Sequence, residues 1–280
     1  ITGSSLNKER ISLPGNISSQ YISALLMTAP TLTHGLTIQL TGDIISRPYI
    51  QLTLQLMKDF GADARWTKEN ELRVELYNSI PYYIESDWSA ASYWYQIAVL
   101  APEATITLPK LLANSYQGDS KVAELFGWLG VETSYQEDGV TLTKSTPKVE
   151  RMEYDFINQP DLAQTFVVTC ALLGIPFRFT GLQSLKIKET DRIVALIKEM
   201  RKLGFVIKDS ENSILSWEGE RCTREEGAID TYEDHRMAMA FAPASLKISD
   251  LFINNPQVVS KSYPRYWENL QAAGFIIKEE

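Results

Sequence analysis

Met200-Arg201-Lys202-Leu203-Gly204, followed at once by Phe205-Val206-Ile207, is the stretch from which the fold can be read. It has the look of the last turn of an amphipathic helix, stopped by a glycine that adopts the left-handed conformation other residues avoid. The apolar residues behind it suit a short strand. The same ending occurs in Leu56-Met57-Lys58-Asp59-Phe60-Gly61, in Leu125-Phe126-Gly127-Trp128-Leu129-Gly130 and in Leu270-Gln271-Ala272-Ala273-Gly274, the last running on into Phe275-Ile276-Ile277. The glycines recur at intervals of about 70 residues, the signature of a structural repeat.

A second helix lies upstream in each unit, starting near Ser18-Ser19-Gln20, Ser89-Ala90-Ala91, Asp161-Leu162-Ala163 and Asp234-His235-Arg236. Serine and aspartate suit such starts because their side-chain oxygens accept from free backbone N–H groups. Between the helices lie β-rich stretches: Leu36-Thr37-Ile38-Gln39-Leu40, Ala104-Thr105-Ile106-Thr107-Leu108, Phe177-Arg178-Phe179-Thr180 and Leu251-Phe252-Ile253-Asn254. The unit is helix, strand, loop, helix, strands. Four such units fill the chain, which predicts an α/β (α+β) protein built by repetition. The best boundary is Pro81-Tyr82-Tyr83 before Asp87, dividing the chain into 1–86, one unit, and 87–280, three units.

Composition narrows the function. A chain of 280 residues with 44% apolar content can bury one large or two modest cores. A formal net charge of −8 argues against a nucleic-acid binder. It leaves room for an anionic small molecule held by a local cationic cluster. Cys170 and Cys222 make neither a zinc site nor a disulfide framework, and read as reduced thiols of a cytoplasmic protein. His34 and His235 lie far apart without metal-site spacing. The longest apolar stretch, Phe166 to Pro176, is too short to span a bilayer. The chain begins Ile1-Thr2-Gly3 without a signal peptide or an initiator methionine, so a processed chain or a piece of a longer one is expected.

The unusual polar residues gather at loop-to-helix joints, where free N–H groups and the positive end of the helix dipole favour anions. Ser18, Ser19 and Gln20 open one helix and Ser46-Arg47-Pro48-Tyr49 the next. Lys188-Glu189-Thr190-Asp191-Arg192 is read as another opening, with Lys188, Glu189 and Arg192 on one face by their spacing. Asp234-His235-Arg236 opens a fourth, and Lys261 precedes the last helix. Quasi-symmetric packing would bring these joints to one end, giving a cationic pocket of Lys188, Arg192, Arg236 and Lys261 that holds the carboxylates Asp161 and Glu189.

Lys188-Glu189-Thr190-Asp191-Arg192 followed by Asp234-His235-Arg236-Met237-Ala238-Met239 resembles the 5-enolpyruvylshikimate-3-phosphate (EPSP) synthase family. Ser18-Ser19-Gln20 with Ala24-Leu25-Leu26-Met27, Ser46-Arg47-Pro48-Tyr49 and Asn114-Ser115-Tyr116-Gln117-Gly118-Asp119 agree, and the likeness covers essentially the whole chain. It implies two domains of repeated βαβαββ units in the family's inside-out barrel fold. The family's Lys-Ser-x-Ser-type helix start and Asn-Ala-Gly-Thr-type loop are not found. The expectation is therefore an incomplete first domain at 1–86, a lower domain at 87–280, and no turnover from this fragment alone.

The resemblance implies transfer of the enolpyruvyl group of phosphoenolpyruvate to the 5-hydroxyl of shikimate 3-phosphate, in chorismate and aromatic amino acid biosynthesis. It places Ser18, Ser19, Gln20, Ser46, Tyr49, Asp161, Ser184 and Lys188 at shikimate 3-phosphate, though Ser184 stands where many relatives carry Asn. It places Gln20, Arg192, Arg236 and Lys261 at phosphoenolpyruvate. Asp161 is the expected base at the 5-hydroxyl and Glu189 the proton donor or relay at the methylene carbon, with Lys261 counted beside them as catalytic. This chemistry needs an acid, a base and fixed positive charge, and implies no cofactor and no metal. The expected partners are the two anionic substrates, with no nucleic acid and no membrane, for a monomeric cytoplasmic protein. The alternatives are transfer to UDP-N-acetylglucosamine by a sister enzyme, and a non-catalytic remnant that binds anions.

Overall fold

The computed structural model describes residues 9–75 and 83–278, so Pro81 and Tyr82 of the expected boundary lie outside the described residues. The first unit consists of β1 (Arg10–Pro14), α1 (Ser19–Thr28), β2 (Leu36–Thr41), α2 (Arg47–Asp59), β3 (Ala64–Lys68) and β4 (Glu71–Val74). Strand β1 runs parallel to β2, and β4 pairs antiparallel with both β2 and β3, giving the order β1-β2-β4-β3.

The second unit follows with α3 (Trp88–Leu100), β5 (Thr105–Pro109), α4 (Val122–Leu129), β6 (Val131–Gln136) and β7 (Gly139–Lys144). Its sheet, β5-β7-β6, is the same pattern without a first strand among the described residues. The third has the full set: β8 (Met152–Asp155), α5 (Ala163–Leu173), β9 (Phe177–Thr180), α6 (Arg192–Lys202), β10 (Lys208–Ser210) and β11 (Ile214–Trp217). Its order β8-β9-β11-β10, again with a parallel first pair, repeats that of the first unit. The fourth retains α7 (His235–Phe241) and α8 (Tyr266–Ala272), with a single parallel bridge between Ile229 and Ile253.

The repeat glycines act as expected. Gly61, Gly130, Gly204 and Gly274 all have positive φ, between 78° and 101°. At three of them the chain folds back in the two-bond pattern that closes a helix. Gly204 N–H bonds Arg201 O (2.9 Å) while Phe205 N–H bonds Met200 O (3.0 Å), and Gly274 with Phe275 does the same to Gln271 and Leu270. That closure explains where the strand expectations fail. Phe275-Ile276-Ile277 forms no strand, because Phe275 N–H is turned back to Leu270. Phe205-Val206-Ile207 makes one bridge, Phe205 to Arg221, and the ladder begins only at Lys208. Leu251–Asn254 is reduced to the Ile253 bridge.

Gly130 is less replaceable than Gly204 or Gly274. At φ 101° a Cβ would stand 2.8 Å from Ser145 O and 2.9 Å from Pro147 N. Gly130→Ala is therefore expected to destabilise the protein by more than about 1 kcal/mol, read as a lowered urea midpoint with an unchanged slope.

Two apolar clusters follow from this pattern. One gathers Ile22, Leu26, Ile38, Leu40, Ile50, Leu54, Leu72 and Val74 of the first unit. The other runs from Trp88 to Leu270. Within it α3, α5 and α7 are buried on nearly every side, carrying Tyr93, Tyr95 and Val99, then Phe166, Val167 and Val168, then Met237, Ala238 and Phe241. A helix apolar all round belongs inside a body rather than on it. Contacts of α5 with both α3 and α7 place these helices together in the interior.

Candidate active site

Three carboxylates mark the approach to the central helices. Asp87 caps α3 by accepting from Ser89 N (2.7 Å), and Asp234 caps α7 by accepting from Arg236 N (2.9 Å). Helix α3 thus starts at Trp88, and Ser89 sits in its first turn rather than capping it. Asp161 was expected to open its helix, but it lies in a 3-10 turn, Pro160–Leu162, and α5 starts at Ala163 without a side-chain cap. Its carboxylate faces cations instead. Oδ1 meets Arg192 Nη1 at 3.1 Å and Lys188 Nζ at 3.4 Å, and Oδ2 meets Arg236 Nη2 at 3.0 Å.

Arg192 holds the centre of this network. It is 1% exposed, and each arm of its guanidinium has a carboxylate partner. Nε donates to Asp234 Oδ2 (2.6 Å), Nη1 to Asp161 and Nη2 to Glu189 Oε2 (2.8 Å). Gln164, with its amide oxygen turned to the guanidinium, accepts from Nη1 and Nε at 3.2 and 3.0 Å. Lys261 completes the ring by pairing with the other oxygen of Glu189. Four cations thus face Asp161, Glu189 and Asp234 around one spot.

The local backbone differs from the sequence reading here. Helix α6 begins at Arg192, capped by Asp191 through Val194 N (3.2 Å). Lys188 and Glu189 precede the helix: Glu189 meets Arg192 through the turn while Lys188 reaches Asp161, so the three do not share one helical face. Lys261 likewise ends a 3-10 turn, Pro256–Lys261, well before α8 opens at Tyr266.

Electrostatics follow from this crowding. Burial alone would raise the Asp161 pKa, but Arg236, Lys188 and Arg192 outweigh it and hold the carboxyl well below the usual range. Glu189 is likewise held down, to about 2, where burial is opposed by Lys261 and Arg192. His235, largely buried beside Arg236, is lowered to about 4 by burial first and by that guanidinium second. The imidazole is therefore neutral near pH 7.

On the side of the first unit, Tyr49 in α2 donates from its hydroxyl to Asp119 Oδ1 (2.8 Å). Burial, Asp119 and Asp161 together raise its pKa well above the ordinary value. Ser46 is buried with a left-handed φ of 56°, and its side chain makes no capping bond to α2. Ser18 caps α1 with a long bond from Gln20 N (3.4 Å). Among the described residues, no hydrogen bond or ion pair links Ser18, Ser19, Gln20, Ser46 or the buried Ser184 to the cluster around Asp161. No group of three or more His, Cys, Asp or Glu among the described residues is placed to hold a metal ion. The sequence reading gave no role to Asp119, Asp234 or Gln164. Asp234 was visible as a helix start and Asp119 within the Asn114–Asp119 stretch, but their partners lie far away in sequence.

Solved structures share this architecture. The EPSP synthase of Acinetobacter baumannii matches with a TM-score of 0.76 at 19% identity, over 96% of this chain and 64% of that one. The enolpyruvyl transferase NikO of Streptomyces tendae gives 0.61 at 18%, over 95% and 64%. At such identities the likeness concerns the fold alone, and the fold is that of the enolpyruvyl transferases. Sequence carries the assignment further. A family model described as EPSP synthase (3-phosphoshikimate 1-carboxyvinyltransferase) matches residues 1–270. A Bacteroides fragilis protein named 3-phosphoshikimate 1-carboxyvinyltransferase is 61% identical over 281 residues, covering 99% of this chain and 68% of that protein. One from Idiomarina loihiensis is 36% identical over 259 residues, covering 91% and 59%. The chain belongs to the EPSP synthase family. It spans about two thirds of the B. fragilis relative's length (68%).

Proposed function

We propose that this chain serves the reaction its family is named for: the carboxyvinyl group of phosphoenolpyruvate passes to the 5-hydroxyl of shikimate 3-phosphate, and phosphate is released. The observation that carries the reading is the ring of Lys188, Arg192, Arg236 and Lys261 around Asp161 and Glu189. Such a ring suits a substrate that carries both a carboxylate and a phosphate, because arginine forks match their oxygens two at a time. Arg236, Arg192 and Lys261 would hold phosphoenolpyruvate, with Gln20 between the substrates. Ser18, Ser19, Ser46 and Tyr49 would hold shikimate 3-phosphate, with Lys188 and Ser184 on its ring.

Asp161 would accept the proton of the attacking 5-hydroxyl, and Glu189, ionised at rest, would relay a proton from the Lys261 ammonium to the methylene carbon. Fixed positive charge would then stabilise the departing phosphate as the methyl group returns a proton to the Glu189–Lys261 pair, which restores the carbon–carbon double bond. In this reading residues 1–86 belong to one domain and 87–280 to another, and the two apolar clusters support that division. The protein is taken as a cytoplasmic monomer. Among the described residues no helix is long and apolar enough to cross a membrane. The relatives' names favour the shikimate substrate over UDP-N-acetylglucosamine.

Calorimetric titration of the chain with phosphoenolpyruvate at low and high salt tests the cationic ring. The expected result is affinity that falls with salt, and a loss of about 1.5–3 kcal/mol in Arg236→Ala, which removes a charge-assisted contact. Binding indifferent to both salt and Arg236 would place the anion site elsewhere.

A further inference from the structure

Asp119 is buried at 1% exposure, and both its oxygens are committed. Oδ1 accepts from Tyr49 of the first unit and Oδ2 accepts from Ser89 in the first turn of α3. The loop that carries it is built to hold still. Glu85 accepts from Leu112 N (2.9 Å), Ser115 Oγ (2.7 Å), Gln117 Nε2 (3.0 Å) and Trp88 Nε1 (2.8 Å), fastening residues 112–117 to the start of α3. Gly118 lies so close to α2 that a Cβ there would stand 2.7 Å from Pro48 Cβ. Next to it, Ser46 N donates to Ile157 O at 3.3 Å, a second link from the start of α2 to the other body. The N-terminal end of α2 is thus seated on the Gly118-Asp119 turn, within electrostatic reach of Asp161 and Arg236.

We infer that Asp119 is a positioning residue: through Tyr49 it fixes the start of α2, with Ser46, against the Asp161 cluster. A single substrate can then be held from both bodies at once. A carboxylate suits this task better than a neutral group, because it accepts from two hydroxyls and needs no donor of its own. With its O–H directed at Asp119 in a hydrogen bond, Tyr49 keeps an oxygen lone pair for a substrate hydroxyl. This inference rests on the proposal that Tyr49 and Ser46 belong to the shikimate 3-phosphate site.

The test uses Asp119→Ala, Asp119→Asn, Tyr49→Phe and the Tyr49→Phe/Asp119→Ala double variant of the whole chain. Each is unfolded in urea and titrated with shikimate 3-phosphate and, separately, with phosphoenolpyruvate. In unfolding, the Tyr49 and Asp119 changes should be coupled, on the order of tenfold in the equilibrium constant. In binding, Asp119→Ala should lose roughly tenfold in shikimate 3-phosphate affinity while phosphoenolpyruvate affinity changes little. Asp119→Asn, which keeps an acceptor for Tyr49, should recover most of that loss. Additive effects on unfolding would overturn the inference, as would an Asp119→Ala variant that binds both ligands as the parent does. Equal losses for both ligands would reduce Asp119 to a merely structural group. Coupled unfolding with no shikimate 3-phosphate binding by the parent chain would instead overturn the functional reading, and with it the ligand half of this inference.

Discussion

Replacing Arg192 by leucine is expected to lower the free energy of unfolding by about 3–5 kcal/mol, the range for breaking a buried ion pair by removing one partner. The size follows from what the guanidinium leaves behind. Asp234 is 0% exposed, and without Arg192 its carboxylate keeps, among the described residues, the capping bond from Arg236 N (2.9 Å) and the neutral His235 ring at 4.0 Å. Asp161 keeps Arg236 and Lys188, and Glu189 keeps Lys261, so Asp234 bears most of the loss. Arg192→Lys should rescue only part, because an ammonium is a point charge and cannot meet three carboxylates along three arms. Combining Arg192→Leu with Asp234→Asn should recover stability relative to the single change, since the unpaired buried charge is then gone. The measurement is the urea midpoint of all three variants with the slope held constant. A loss under about 1 kcal/mol for Arg192→Leu would mean that the buried charges have found water or other partners.

What could be read beforehand divides along the range of the interaction. The closing glycines were legible because a positive φ at the end of a helix is a local requirement, met within a few residues. The strand at Phe275-Ile276-Ile277 was misread because a strand exists only with a neighbour, and here Phe275 N–H turns back to Leu270. The same holds at the site. Lys188, Arg192, Arg236 and Lys261 stood out because cations recur at equivalent joints of successive units. Asp234 and Asp119 read as an ordinary cap and a loop acid. Their partners are 42 and 70 residues away, and no pattern in one sequence reports such a pairing. Asp161 shows the middle case: its presence at the joint was visible, but its place in a 3-10 turn, free of capping duty, was not.

That freedom matters for the largest effect expected on turnover. On the proposal that Asp161 is the base, Asp161→Ala should lower kcat by roughly 10²–10⁴-fold, the usual worth of a positioned base. The structure adds a second expectation that separates a base from a mere binding group. Arg236, Lys188 and Arg192 hold the Asp161 carboxyl well below the usual range and so weaken it as a base. If phosphoenolpyruvate binds these cations as proposed, its phosphate and carboxylate should draw them away and restore basicity, since an opposite charge nearby is what depresses a carboxyl pKa. In that binding mode Asp161 and the substrate anion would compete for the same cations. Removing the carboxylate should leave phosphoenolpyruvate bound as tightly as before, or more tightly, while the chemical step collapses. Asp161→Asn should behave the same way in kcat, because an amide keeps the shape and one acceptor but takes no proton. Steady-state kcat, paired with calorimetric affinity for phosphoenolpyruvate, reads the two effects apart. Near-normal kcat in Asp161→Asn would remove it as the base. A large loss of phosphoenolpyruvate affinity in Asp161→Ala would show that the carboxylate organises the cations rather than competing for them.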